Sequence, residues 1–170
     1  DENTESVSLG KYMEILEDPT GELTIDDVTK PEMQGRWFKS KWDEPNFGKS
    51  RSAYWFRFEV NNKSNKYNYI FKSYWPLYDQ IDLFYLTEHK LISKRNYGNV
   101  YPFDERGHSD IHFTFPIPDS IDSFSTYIRV ETETSVQMPL MLMAEKHSVI
   151  VSKYYLIFYS IFFGILGVMF

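Results

Sequence analysis

The chain reads as an all-β antiparallel sandwich that runs, at its C-terminal end, into the start of a transmembrane helix. Three observations carry this reading. Several stretches alternate apolar and polar residues with a period of two, the period of a strand with one face in a core. Clusters of turn-forming residues separate those stretches. The last 17 residues, after Lys153, carry no formal charge. Short strands at regular spacing are the pattern of sandwiches and barrels.

The N-terminal third is the least regular. "EILEDPTGELTIDDVTKPEM" gives a short strand, a Pro-Thr-Gly turn and one helical turn, where Thr24 and Asp27 are spaced as a capping box. "GRWFKSKWDEPNFGKSRS" gives a short strand and a polar loop. The alternation then sharpens. "SAYWFRFEVNN" (52–62) places Tyr54, Phe56, Phe58 and Val60 on one face and Trp55, Arg57 and Glu59 on the other. "YNYIFKSYW" (67–75) follows the polar "NNKSNK" and is expected to pair back as a hairpin. "QIDLFYLTEHK" (80–90) places Ile81, Leu83 and Tyr85 on one face. "DIHFTFPIP" (110–118) sets Ile111, Phe113, Phe115 and Ile117 against His112 and Thr114. "STYIRVETET" (125–134) turns Ile128 and Val130 inward and Tyr127, Arg129, Glu131 and Glu133 outward. "MPLMLMAEK" (138–146) is the last strand. The predicted core is Phe56, Phe58, Leu83, Phe113, Phe115, Ile128 and Val130.

As a helix, residues 154–170 span roughly 25 Å, a little short of a hydrocarbon core of about 30 Å. Lys153, Tyr154 and Tyr155 suit a membrane interface, and Gly164 and Gly167 are tolerated in membrane helices. A buried helix of a soluble domain would show a polar face instead. The expected organisation is an aqueous sandwich over residues 1–147 and the start of a first membrane span over 148–170, in contact with lipid through 154–170. The sequence opens at Asp1 without an initiator Met, so a signal peptide is expected upstream.

Composition excludes several functions. Net charge is −6 without a strongly basic segment, which argues against a nucleic-acid partner. Without cysteine there is no disulfide, no Cys-based zinc site and no thiol nucleophile. His89, His108, His112 and His147 are scattered, so no metal site and no cofactor is implied. Glu131 and Glu133 share one strand face and make a poor opposed pair for glycosidase chemistry. No catalytic residue is assigned, and an enzyme is not expected in this region.

A binding face is the better expectation. Trp55, Arg57 and Glu59 share one strand face; Tyr127, Arg129 and Glu131 share another. On neighbouring strands they would form one aromatic and charged surface, on which a sugar ring could stack while Arg and carboxylates bond its hydroxyls. The same residues could equally form cross-strand ion pairs on a covered sheet. Arg106, in the loop "PFDERGH" (102–108), either fixes that loop through Asp104 or Asp110 or meets the ligand.

The order "LEDPTGELTIDDV", "YWFRFEVNN", "YWPLYDQIDLFY", "YGNVYPFDERGHSDIHFTFPIP", "TYIRVETETSVQMPLML" and then a membrane helix resembles a known family. It is similar to the second type of N-terminal extracytoplasmic domain of bacterial seven-transmembrane receptors with diverse intracellular signalling modules. Trp55, Arg57 and Asn61 match its first motif strand, Pro76 and Asp79 the following turn, and Gly98, Pro102 and Arg106 the next loop. Tyr127, Arg129 and Val130 match the late strand, and Pro139 the last. The resemblance implies a jelly-roll-like β-sandwich similar to carbohydrate-binding modules, periplasmic or extracellular at a bacterial inner membrane. Seven helices and a cytoplasmic output module would follow. It implies a sensor for an unknown small ligand, carbohydrate by analogy of fold, and carries over no catalytic residue. The alternative is a structural module that forms a homodimer or docks another protein and holds no small ligand.

Overall fold

Period-two alternation becomes two antiparallel sheets packed face to face. The computed structural model describes residues 6–61, 68–102, 112–118 and 121–169. Its strands are β1 (Ser6–Ser8), β2 (Glu14–Asp18), β3 (Phe38–Lys39), β4 (Asn46–Lys49), β5 (Ala53–Asn61), β6 (Tyr69–Ser73), β7 (Gln80–Thr87), β8 (Lys90–Tyr97), β9 (Phe113–Pro116), β10 (Ser123–Glu131), β11 (Ser135–Gln137) and β12 (Leu140–Ala144). Two helices accompany them, α1 (Ile25–Val28) and α2 (Glu145–Met169). The larger sheet has the order β3-β2-β5-β10-β7-β8 and the smaller β1-β12-β6-β9, while β4 and β11 pair at the side.

The core lies between the two sheets. Ile15, Phe56, Phe58, Ile81, Leu83, Tyr85, Ile128 and Val130 of the larger sheet meet Phe71, Phe113, Phe115 and Leu140 of the smaller. All seven predicted core residues are buried, the most exposed being Phe58 at 6%. Aromatic edges meet faces across the gap, with Phe58 and Phe71 centroids 5.3 Å apart and Tyr97 and Phe115 4.9 Å apart. Each such pair adds about 0.5–1.5 kcal/mol beyond burial alone.

The N-terminal arm follows its expected course. Thr24 Oγ1 accepts from the Asp27 amide at 3.3 Å and the Asp27 carboxylate accepts from the Thr24 amide at 3.0 Å, so the capping box starts α1. A 3-10 turn over Pro31–Arg36 continues it.

Two expectations are corrected. β5 and β6 do not form a hairpin. β5 pairs with β10 along its length and with β2 over Ala53–Arg57, and the chain then crosses to the smaller sheet, where β6 pairs with β12 and β9. Residues 80–90 are not one strand either. Glu88 and His89 take φ of 49° and 63°, the paired left-handed values of a type I′ turn, and the chain folds back as β8.

β12 passes into α2 with no linking residue, and the Glu145 amide donates to the Asn68 carbonyl at 2.9 Å. The helix therefore begins three residues before the expected boundary at 148. Its first turns lie on the outer face of the smaller sheet. Lys72 is fully buried there and donates to Ser148 Oγ at 3.1 Å and Ser152 Oγ at 2.7 Å. Tyr155 packs edge-on against His112 at 5.6 Å. Beyond Tyr155 the large apolar side chains through Ile165 are exposed. The stretch Glu145–Gly167 is long and apolar enough to cross a membrane.

Candidate functional site

β5 and β10 are hydrogen-bonded neighbours at the centre of the larger sheet. Their register sets Tyr127 opposite Arg57, Arg129 opposite Trp55 and Ser125 opposite Glu59. All six side chains point away from the core, because their neighbours Phe56, Phe58 and Ile128 point into it. The strands thus bring Trp55, Arg57, Glu59, Tyr127 and Arg129 onto one face, with Glu131 at its end. The face is then divided into three regions.

Its middle is covered. Val28 and Trp37, with Leu23, Ile25 and Met33 around them, close over Leu16, Trp55, Phe84, Leu86 and Tyr127 as a second apolar layer. Trp37 donates its indole N–H to the Val28 carbonyl at 3.3 Å and meets Tyr127 edge-on at 5.9 Å. Trp55 stacks on Phe84 at 5.7 Å and is 0% exposed. The expected stacking surface at Trp55 is therefore occupied by the protein's own N-terminal arm.

One end is fastened by ion pairs. Arg129 NH2 donates to the Gly21 carbonyl and to Glu131 Oε2, both at 2.7 Å, and NH1 lies 3.5 Å from Asp82 Oδ2. Asp82 also accepts from Gln80 and Asn96. The guanidinium fork ties the turn at Gly21 to the sheet, and only 10% of its side chain is exposed. Arg106 lies outside the described residues.

The other end is open. A groove of about 680 Å³ runs between β5, β10, the start of β2 and the 3-10 turn, within the range of small-molecule sites. Arg57 is its centre. Its Nε donates to Glu14 Oε2 at 2.8 Å, its NH1 donates to Gln34 Oε1 at 2.7 Å, and its guanidinium sits 4.3 Å from the Trp37 ring centroid. Glu59 accepts from Ser125 Oγ at 2.7 Å. Burial pushes the Tyr127 phenol above its usual value, against the pull of the neighbouring Arg57 guanidinium. Tyr12, 66% exposed, forms an aromatic lip, and Lys39 and His89 stand at the rim. Gly10 seats that lip: a Cβ there would lie 2.0 Å from the Asp43 carbonyl oxygen, so only glycine lets this turn close on the following loop. With Glu14, Arg57, Gln34, Glu59 and the Ser125 hydroxyl held by partners in advance and Lys39 at the rim, the groove is suited to a ligand rich in hydrogen-bonding groups.

Three predicted residues, Arg57, Glu59 and Tyr127, meet in this groove, while Trp55, Arg129 and Glu131 do not line it. Sequence reasoning missed Tyr12, Glu14, Gln34, Lys39 and Ser125. Glu14 and Gln34 come from the arm, 43 and 23 residues from Arg57, and no local pattern announces that contact. Among the described residues no group of three or more His, Asp or Glu could hold a metal ion.

A β-sandwich with a polar groove on one face thus passes directly into a helix long and apolar enough to cross a membrane. Residues 10–144 match the family model described as 7TMR-DISM extracellular 2, and the chain belongs to that family of extracellular domains of seven-transmembrane receptors. Its sandwich is the extracellular part of a membrane receptor, and α2, which follows it, is long and apolar enough to cross a membrane. No curated protein matches the sequence.

Proposed function

We propose that the sandwich is a sensor that binds a small polar ligand in the groove at Arg57, Glu59 and Tyr127 and biases α2 through β12. The observation that carries this reading is the groove itself. Its polar side chains are oriented by partners, yet one side stays open to solvent, where a purely structural network would be covered as Arg129 is. By analogy of fold the ligand is a carbohydrate, the sandwich is of the jelly-roll kind, and its home is the outer side of a bacterial inner membrane. The enzymatic output would lie beyond residue 170. A docking module without a small ligand needs a large flat apolar patch. Among the described residues the exposed large apolar side chains of the sandwich are Tyr12, Phe38, Trp42, Leu77, Leu91, Ile92 and Val100, and α2 carries more of them.

The test uses the whole chain in lipid nanodiscs and a screen of neutral sugars and organic acids read by melting temperature. Arg57→Ala should weaken any hit by about ten- to a hundredfold, since a charged hydrogen bond is worth about 1.5–3 kcal/mol. Glu59→Gln should weaken it less. A hit whose affinity ignores both substitutions would place the ligand elsewhere.

A further inference from the structure

β2 pairs with β5 only from Asp18–Ala53 to Glu14–Arg57. Beyond Arg57, residues 58–61 of β5 keep β10 on one side, and no described strand pairs with them on the other. Among the described residues this edge joins the outer face of the larger sheet to the space between the sheets. A second, solvent-open chamber of about 480 Å³ lies behind it, lined by Val7, Leu9, Phe58, Val60, Phe71 and Leu142 together with Glu59, Asn61 and Tyr69. It meets the polar groove at Tyr12, Phe58 and Glu59, which line both. Along this path the side chains that line the wall pass from mostly charged and amide groups to mostly aliphatic and aromatic ones, with Asn61 and Tyr69 among them.

We infer that the ligand is an amphiphile, with a neutral hydroxyl-bearing head in the groove and a single apolar chain passing Tyr12 into the chamber between the sheets. This rests on the sensor reading of the groove. The head is neutral because the groove's carboxylates, Glu14 and Glu59, balance its cations, Arg57 and Lys39, and Arg57 is already paired with Glu14. A net charge on the head would meet one unmatched partner of its own sign. The chain is apolar because most of the chamber's side chains, Val7, Leu9, Val60, Phe71 and Leu142, offer a polar group no hydrogen bond in place of the water it loses.

The chamber also explains how occupancy reaches the membrane. Leu142 belongs to β12 and pairs with Val7 on one side and Phe71 on the other. Two residues later β12 ends, and α2 begins at once. A chain wedged between the sheets presses on the strand that roots the helix, whereas a head confined to the groove touches only the larger sheet and its arm.

The experiment measures binding of methyl, butyl, hexyl and octyl β-glucoside, below micelle-forming concentrations, to the whole chain in nanodiscs. Empty nanodiscs correct for partition into lipid. Affinity should rise about threefold per methylene, on the order of a hundredfold from butyl to octyl, slightly under the value for full burial because the chamber is open at its mouth. Leu142→Trp and Val60→Trp each fill the chamber, and in both the octyl-to-methyl ratio should collapse toward one. Saturation transfer from protein aromatic protons to the terminal methyl of the octyl chain, in the wild-type chain, should be strong. This reading holds even where a Trp variant fails to fold. Glucosides that bind equally at every chain length would overturn the amphiphile and leave the groove reading standing. A chain-length dependence unchanged in both variants, with no transfer to the terminal methyl, would overturn it too. No binding by any homologue would remove both readings.

Discussion

Replacing Trp37 with alanine probes the arm that covers the larger sheet. Trp37 is 8% exposed and closes the second apolar layer over Trp55 and Tyr127. Truncating a buried Trp costs about 3–5 kcal/mol through lost transfer energy and the cavity left behind. The Val28 carbonyl also loses its indole donor, and the Arg57 guanidinium loses the ring at 4.3 Å, worth about 0.5–1 kcal/mol at a partly exposed site. These terms overlap, so about 4 kcal/mol is the expected total. For a chain of this size that lowers Tm by about 10 °C. The assay is thermal unfolding followed by near-ultraviolet circular dichroism, with Trp42→Ala as the comparison. Trp42 is 50% exposed and touches Phe47 edge-on at 6.2 Å, so its loss should cost about 1 kcal/mol or less. Trp37→Phe should recover part of the loss, because a ring remains but the indole donor does not. Equal Tm values for Trp37→Ala and Trp42→Ala would refute the packing of the arm on the sheet, and with it the inner wall of the groove.

Other outcomes are open to direct measurement. Lys72→Met removes both hydrogen bonds to α2 and should raise amide hydrogen exchange at Ser148–Ser152 by about tenfold or more, while β5 and β10 keep their protection; uniform loss of protection would show that the lysine serves the whole sandwich. Ending the chain after Lys153 keeps Ser148 and Ser152 and should leave Tm within about 2 °C, with higher solubility, because the side chains it removes are mostly exposed; a truncated chain that does not fold would make the apolar run a core element. Burial holds the phenols of Tyr78, Tyr85, Tyr97 and Tyr127 above their usual value. The folded state thus binds these protons more tightly than the unfolded one. Their contribution to stability is complete below about pH 10 and is lost as pH rises beyond it, so urea midpoints should fall steeply there. A flat profile from pH 9 to 12 would contradict their burial.

What the sequence disclosed follows from how far each signal reaches. The inward set Phe56, Phe58, Phe113, Phe115, Ile128 and Val130 is local alternation, and the structure buries every member. The capping box at Thr24 is equally local. β8 escaped notice because it is an edge strand, with Leu91 at 52% and Ile92 at 41% exposed, so neither face imposes an apolar pattern. Its turn was hidden as well, since Glu88 and His89 adopt positive φ without the glycine that usually marks one. "NNKSNK" signals a change of direction but not which sheet comes next. The candidate site was half legible for the same reason. Arg57, Glu59 and Tyr127 share a face by strand period alone. That Trp55 on that face is sealed, and that Glu14 and Gln34 orient Arg57, depends on an arm folding over a sheet formed by residues far along the chain.

The root of α2 has a mechanical consequence. Ser148 and Ser152 are four residues apart, about one turn, so a single ammonium group holds two points on one stripe of the helix. Two points on one stripe fix azimuth as well as tilt. With no linking residue between β12 and α2, the sandwich and the helix share one rotational phase, and whatever tilts β12 turns the apolar aromatic flank by the same angle. The system behaves as a keyed shaft rather than a tethered float. On the proposed sensor reading, one alanine inserted between Ala144 and Glu145 would turn that flank by about 100°, carry Ser148 and Ser152 away from Lys72, and separate ligand capture in the groove from its transmission.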